Sequence, residues 1–335
     1  MNPYSLIRPL LFSVDPETAH DITLKTLSAA QSAVHVLHPK IPDKPVELMG
    51  LTFKNPVGLA AGLDKNGDCL DGFAALGFGF LEVGTLTPRP QDGNPKPRLF
   101  RLVEHEGIIN RMGFNNKGID YFLEQVAKSH YAGILGVNIG KNADTPIENA
   151  LDDYLICLRK AYAVASYITL NISSPNTKNL RQLQQGDDLR HLISSVKEEQ
   201  LKLQVEHGRY VPLVLKIAPD LTPSEIKHIA NLLLEFSIDG VIASNTTISR
   251  PSVGQHPHAH EMGGLSGAPL KAMSTEIVRL LAQELKGQIP IIAVGGILSA
   301  NDAQEKFEAG ASLVQLYTGL IYRGATLISD IVNSR

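Results

Sequence analysis

The sequence predicts an α/β fold, a (β/α)8 TIM barrel with an N-terminal two-helix extension. Three observations predict it. From residue 55 onward, eight short, near-continuous apolar runs recur, as expected of strands buried on both faces of a parallel sheet. Amphipathic stretches with helix-start chemistry separate them. The 335 residues also exceed the roughly 250 of such a barrel, leaving about 50 ahead of the first strand. A doubly wound open sheet is the competing arrangement. Eight equivalent strands with no leftover edge strand fit closure better.

In chain order, Tyr4, Leu6, Ile7, Leu10, Leu11 and Phe12 open an apolar stretch that Pro9 is expected to kink or interrupt. A second helix starts at Asp15-Pro16-Glu17, an N-cap followed by proline at the first helical position. Along it Ala19, Ile22, Thr26, Ala30 and Val34 recur at helical spacing, predicting one apolar face. The strands are read at 56–61, 80–84, 134–139, 167–172, 213–218, 240–243, 291–294 and 313–317. Thr145-Pro-Ile-Glu148 and Thr222-Pro-Ser-Glu225 read as capping boxes, and Ser299-Ala-Asn-Asp302 as a weaker one. Two long strand-to-helix connections, 85–115 and 246–269, are rich in Gly, Pro and Asn and read as lids or binding loops. The organisation is thus an N-terminal helical segment, 1–40, and a barrel, 41–335.

Composition narrows the function. Lys and Arg number 31 against 34 Asp and Glu, a net charge of -3, which argues against a nucleic-acid partner. Cys69 and Cys157 can build neither a disulfide framework nor a thiolate cage, so a reducing compartment and buried packing are expected. No apolar run approaches the roughly 20 residues that span a bilayer. Arg8 interrupts the first apolar stretch and no cleavage site follows, so no signal peptide is read. His256-Pro-His-Ala-His260 invites a metal reading, but a solvated loop without metal is preferred. The charged run 197–202 reads as a solvated helix face.

Barrel active sites lie at the C-terminal ends of the strands, and those ends are polar here. In strand order they bring Asp64 and Lys65, Thr85, Asn138, Asn171, Lys216, Asn245, Gly295-Gly296 and Tyr317-Thr318. A single Asn at a strand end is an ordinary turn residue; several Asn and two Lys converging on one mouth are not. Gly295-Gly296 and Tyr317-Thr-Gly319 follow the seventh and eighth strands, where many barrels bind phosphate through backbone N–H groups. The amides of Asn110, Asn171, Asn176 and Asn245 could read the alternating N–H and C=O edge of a cyclic amide. Lys65 would supply positive charge for a carboxylate. Lys216, emerging from an apolar strand, needs a negative partner, and a reduced flavin would be one.

Eight motifs, in order, resemble the dihydroorotate dehydrogenase family. They are Leu59-Ala-Ala-Gly-Leu-Asp-Lys65, Asn110-Arg-Met-Gly-Phe-Asn-Asn116, Asn138-Ile-Gly-Lys-Asn142, Asn171-Ile-Ser-Ser-Pro-Asn-Thr177, Lys216-Ile-Ala-Pro219, Ser244-Asn-Thr-Thr247, Gly263-Gly-Leu-Ser-Gly267 and Val294-Gly-Gly-Ile297. The resemblance implies an FMN enzyme of pyrimidine synthesis, one FMN per chain, that oxidises dihydroorotate to orotate. Ser174 stands where soluble members carry Cys, which with the N-terminal extension implies the quinone-dependent class. A soluble enzyme using fumarate or NAD is the runner-up. A flavin-free phosphate-binding isomerase or lyase is the alternative from another class.

Carried over by position, the resemblance implies that Ala60, Ala61, Gly62, Leu63, Asp64, Lys65, Thr85, Asn138, Asn171, Lys216, Ser244, Gly267, Gly296, Tyr317 and Thr318 hold FMN. It implies that Lys65, Asn110, Arg111, Met112, Gly113, Phe114, Asn171, Asn176, Asn245 and Thr246 hold dihydroorotate. Position 244 carries Ser where close relatives carry Thr, and the hydroxyl is kept. Ser174 is expected to take a proton from C5, with Thr177 and a water as relay, while hydride passes from C6 to the flavin. Residues 1–40 are expected to form the quinone entrance and a peripheral contact with the cytoplasmic face of a bacterial inner membrane. Their Arg8, Lys25 and Lys40 are matched by Asp15, Glu17 and Asp21, so attachment should rest on apolar burial.

Overall fold

A computed structural model of the chain describes residues 4–29 and 41–335. Eight parallel strands close a barrel in sequence order: β1 (Val57–Leu59), β2 (Phe80–Leu86), β3 (Ile134–Ile139), β4 (Tyr167–Asn171), β5 (Leu213–Ile217), β6 (Gly240–Ala243), β7 (Ile291–Val294) and β8 (Leu313–Leu316). All eight lie where the apolar runs place them. Every residue in them is buried except half-buried Ile134, because helices cover one face and barrel side chains the other. Among the covering helices, Pro223–Glu235 starts with the anticipated capping box: Thr222 and Glu225 satisfy each other's backbone N–H groups. Ser299 caps Ala300–Glu308 by accepting the Asp302 N–H at 3.1 Å. Such caps each contribute about 1 kcal/mol.

The box at Thr145 does not form. Residues Ile147–Asn149 make a 3-10 turn, and the helix Ala150–Ala161 begins only after it. Tertiary bonds hold this loop instead: Lys141 Nζ donates to the Thr145 carbonyl at 2.8 Å, and Asp153 accepts the Asn142 N–H at 2.8 Å.

A hairpin of Val46–Leu48 and Leu51–Phe53, not anticipated, precedes the barrel. Its Phe53 packs edge-on against Phe80 with ring centroids 5.1 Å apart, beside Tyr167, Val214, Ile292 and Leu313 from the strand starts. The N-terminal end of the barrel is therefore a packed plug, and the site must open at the other end.

There the two long connections are not irregular loops. Leu99–Leu102, Gly107–Asn110 and Gly264–Gly267 pair as a three-stranded antiparallel sheet across the mouth, with Leu265 opposite Ile109 and Ile109 opposite Phe100. Strands of four residues paired across more than 150 positions leave no local periodicity to read. The histidine segment is only partly solvated: His256 and His258 are half-buried beside this sheet, while His260 is exposed. His256 lies near His105 and His258, and His258 lies 5.1 Å from the Phe100 ring. Among the described residues no group of three side chains is placed to hold a metal. The run 197–202 is likewise only partly solvated: Gln200 is buried and donates to the Val211 carbonyl at 2.7 Å.

Among the described residues, two helices precede the hairpin. The first, Tyr4–Ser13, runs through Pro9, which does not interrupt it. Its register is fixed from outside: the Tyr4 hydroxyl donates to the Ile321 carbonyl at 2.6 Å and Arg8 to that of Tyr322 at 2.9 Å. The second, Pro16–Ala29, starts where Asp15 accepts the Thr18 N–H at 2.9 Å. Its barrel-facing stripe is Glu17, His20, Leu24 and Leu27, whereas Ile22 and Thr26 are exposed. Of the anticipated stripe Ala19 is buried, whereas the places of Ile22 and Thr26 are corrected by the buried pair of Glu17 and Arg98, 2.7 Å apart, which turns Glu17 inward. Ala30 and Val34 lie outside the described residues. Among the described residues no helix is long and apolar enough to cross a membrane. Cys69 and Cys157 are both buried and free, and burial raises both thiols, Cys69 to about 12.

Candidate active site

The strand ends and the antiparallel sheet line a cleft that is partly open to solvent. Ala60, Ala61, Gly62 and Lys65 line it from the first strand end, and Thr85, Asn171, Lys216 and Ser244 from the next ones. Gly267, Gly296, Tyr317 and Thr318 line the far side. The sheet contributes Asn110, Met112, Gly113 and Phe114, and the loops after β4 and β6 bring Ser174, Asn176, Asn245 and Thr246. Residues separated by more than 250 positions thus meet in one place.

Five predicted residues stand behind the lining. Leu63 is buried. Asp64 accepts the N–H groups of Asn66, Gly67, Asp68 and Cys69 and so builds the turn that presents Lys65. Arg111 turns away, paired with Glu261 at 2.6 Å and lying over the Phe100 ring. Asn138 bonds to Thr85, which does line the cleft. Thr177 is buried, and its Oγ1 has no hydrogen-bond partner.

The base candidate sits on a braced loop. Ser174 Oγ accepts the Asn176 N–H at 3.2 Å, and the Asn176 side chain donates to Asn110 Oδ1 at 3.2 Å. Asn94 donates to both the Arg111 and Asn176 carbonyls, at 2.8 and 3.3 Å, tying the antiparallel sheet to the Ser174 loop. No carboxylate or imidazole contacts the Ser174 hydroxyl among the described residues.

Electrostatically, the cleft is positive at two points. Lys65 is desolvated, and burial, opposed by Glu17, pulls its ammonium down to about 8. Burial also lowers Lys216, and Glu82, 4.0 Å away inside the barrel, opposes that shift. The negative partner sought for Lys216 is thus supplied partly by the protein.

The residues fit a phosphorylated heterocycle. Gly296 has φ +74°, and a Cβ there would lie 2.2 Å from the Lys271 Cα, so only glycine keeps this backbone exposed to the cleft. The hydroxyls of Ser266 and Thr318 stand 2.8 Å apart beside it. Gln315 also lines the cleft, and its Oε1 is buried without a partner, an acceptor left for a ligand N–H. Apolar Val294, Ile297 and Leu270 complete a slot for a flat ring.

Sequence reasoning missed Glu82, Gln315 and Arg181. The first two carried a signal, a polar residue inside an otherwise apolar strand. Arg181, in a short 3-10 segment after β4, carried none, since its role depends on partners brought from three loops.

Comparison with known proteins agrees with this architecture. The dihydroorotate dehydrogenase family profile matches residues 45–334. The chain is 64% identical over 333 residues to a dihydroorotate dehydrogenase (quinone) of Chromobacterium violaceum, covering 98% of this chain and 96% of the relative. It is 59% identical to one from Acinetobacter baumannii, covering 99% of each. A crystal structure of DHODH in complex with ferulenol from Eimeria tenella superposes with a TM-score of 0.87 at 43% identity, over 95% of this chain and 90% of that one. The chain belongs to the dihydroorotate dehydrogenase family.

Proposed function

We propose that this protein oxidises dihydroorotate to orotate in pyrimidine synthesis, using one FMN per chain and a membrane quinone as electron acceptor. The observation that carries the reading is the coincidence, in one cleft, of a hydroxyl on a braced loop, four convergent Asn amides and two ammonium groups, one buried and one half-buried. A soluble enzyme using fumarate or NAD is not favoured, because Ser174 replaces the Cys of that class and the relatives are quinone enzymes.

Gly296, Thr318 and Gly267 would hold the phosphate end of FMN, and Thr85, Asn171, Lys216 and Ser244 its ring. The flavin supplies a hydride acceptor that can pass its electrons on to the quinone. All other steps fall to this chain. Lys65 neutralises the substrate carboxylate, and Asn110, Asn171, Asn176, Asn245 and Thr246 read the pyrimidine edge. Ser174 takes the C5 proton. The Thr177 hydroxyl would pass it on through a water, a role supported by its burial without a protein partner. Lys216 stabilises the negative charge that the ring acquires.

The N-terminal helices would guide the quinone and rest on the cytoplasmic face of a bacterial inner membrane. Leu6, Ile7 and Leu10 point outward from the first helix, a compact apolar patch that none of the described residues covers. Beneath it Phe12 meets Tyr322 edge-on, and Arg101 lies over the Phe12 ring.

Purified protein should be yellow and should bleach when dihydroorotate is added without oxygen. Colour should return with a long-chain quinone and not with fumarate or NAD. A colourless protein that neither holds nor takes up FMN overturns the proposal.

A further inference from the structure

Glu82 sits in the middle of β2, fully buried, with its carboxyl inside the barrel beneath the cleft. A buried carboxyl is tolerated only when its oxygens are hydrogen-bonded. Here Oε1 accepts Asn138 Nδ2 at 2.8 Å, while Oε2 accepts the Tyr167 hydroxyl at 2.9 Å and Gln315 Nε2 at 2.8 Å. Lys216 Nζ lies 4.0 Å from Oε1. Every neighbour donates and none accepts.

This one-sided pattern propagates. An Asn amide has a donor end and an acceptor end. Because the donor end of Asn138 faces Glu82, its Oδ1 faces Thr85 and accepts that hydroxyl at 2.6 Å. With its only proton committed, Thr85 Oγ1 accepts Asn171 Nδ2 at 2.8 Å. Asn171 therefore turns Oδ1 the other way, where the Ser173 hydroxyl meets it at 3.0 Å and Asn245 Nδ2 at 3.3 Å. An Asn–Thr–Asn chain works equally well with every donor and acceptor exchanged. Ends of fixed polarity decide between the two directions: the Glu82 carboxylate at the buried end and, at the cleft end, the backbone N–H groups of Ser173 and Thr246, which donate to Asn171 Oδ1 at 3.3 Å and Asn245 Oδ1 at 2.8 Å.

We propose that Glu82 is a positioning residue that fixes, from the buried end, the hydrogen-bond direction of the Asn138–Thr85–Asn171–Asn245 chain, and so holds in place the amide ends the cleft offers to the pyrimidine edge. The inference rests on the reading of the cleft as a pyrimidine site. Glu82 touches no ligand. It acts through three amides and a hydroxyl, and it selects ligands whose edge complements the fixed pattern.

The test is Glu82→Gln, which keeps shape but can donate. Its amide oxygen would take the two donors Tyr167 and Gln315, and its NH2 would meet the Asn138 NH2, setting the buried end of the chain against the direction that the Ser173 and Thr246 N–H groups hold at the cleft end. Orotate affinity should fall about 10- to 100-fold, the usual effect of mispairing a buried polar group. Tyr167→Phe removes a neighbour of the carboxyl but leaves the direction intact, so its affinity should stay within about twofold of wild type. Thr85→Val cuts the chain downstream. If direction is transmitted through Thr85, the double variant should bind orotate no worse than the weaker single one. Should Glu82→Gln not fold, Asn138→Leu replaces it in the same cycle with the same expectation. Unchanged affinity in Glu82→Gln, an equal loss in Tyr167→Phe, or multiplied losses in the double variant each overturn the inference alone. A wild-type protein with no affinity for orotate overturns the reading of the cleft as well.

Discussion

Arg181 Nε donates to the Ser173 carbonyl at 3.0 Å, while its other nitrogens reach the Thr246 carbonyl at 2.9 Å and Asp220 at 2.8 Å. One guanidinium thus ties the loop that carries Ser174 to the loop that carries Asn245 and Thr246. A lysine cannot make three bonds in a fixed plane. Arg181→Lys should slow flavin reduction by dihydroorotate at least tenfold, an expected tenfold being about 1.4 kcal/mol of lost positioning, with bound FMN retained. Stopped-flow absorbance checks it, and wild-type reduction in the variant would refute the clamp.

Ser174→Ala should slow the same reduction by about 10²–10⁴-fold, the range for a positioned base. FMN should remain bound and reoxidation by quinone should be nearly unchanged. Reduction at wild-type speed removes Ser174 from the role. Thr177→Val should show a smaller loss, because a relay through water has alternatives.

Lys65 gives the substrate half-reaction a pH limb. Burial holds its ammonium at about 8 in the free protein, so it is charged below that pH and neutral above it. The KM for the anionic substrate should therefore rise as pH climbs through about 8. In Lys65→Met the limb should vanish and KM should be high throughout. A limb that persists in the variant belongs to another group.

His20 sets an acid limit on the docking of the second helix. Its imidazole is held down at about 3 by burial and by nearby Lys65, against an ordinary value of 6.5. A depressed value means the neutral form is favoured in the fold, so stability is full above pH 6.5 and is lost as pH falls toward 3. Acid should loosen this helix first, and His20→Gln should flatten that part of the profile. Limited proteolysis between pH 6.5 and 4 reads the difference, and equal cleavage of both proteins counts against it.

Leu6→Ser with Leu10→Ser should weaken binding to lipid vesicles and slow long-chain quinone reduction, while bleaching by dihydroorotate stays intact. Both leucines are about 70% exposed, so their replacement leaves the core alone. Added salt should release the wild-type protein poorly, as expected of apolar attachment. Vesicle flotation at two salt concentrations is the measurement, and unchanged flotation of the variant sinks the contact.

The antiparallel sheet over the mouth should protect its own amides when the site fills. Hydrogen exchange across residues 88–114 should slow on orotate binding, because Asn110 joins that segment to Asn176. Unchanged exchange, with orotate demonstrably bound, argues against a lid.

The barrel was legible in the sequence because each strand is buried on both faces, which forces an apolar run wherever a strand lies. The same logic exposed the polar strand ends, where Lys65, Asn171, Lys216 and Asn245 stand out against their own strands. It failed where identity depends on partners far along the chain. The pairing of Gly107–Asn110 with Gly264–Gly267, the passage of a helix through Pro9 and the unused box at Thr145 are all decided by contacts beyond the local window. Glu82 shows the boundary most clearly. Its place in an apolar run was visible, but an acceptor acquires a role only when Asn138, Tyr167 and Gln315 are folded around it. Burial pattern is a property of each residue and its neighbours in sequence, whereas hydrogen-bond direction is a property of a closed network, and only the tertiary structure closes it.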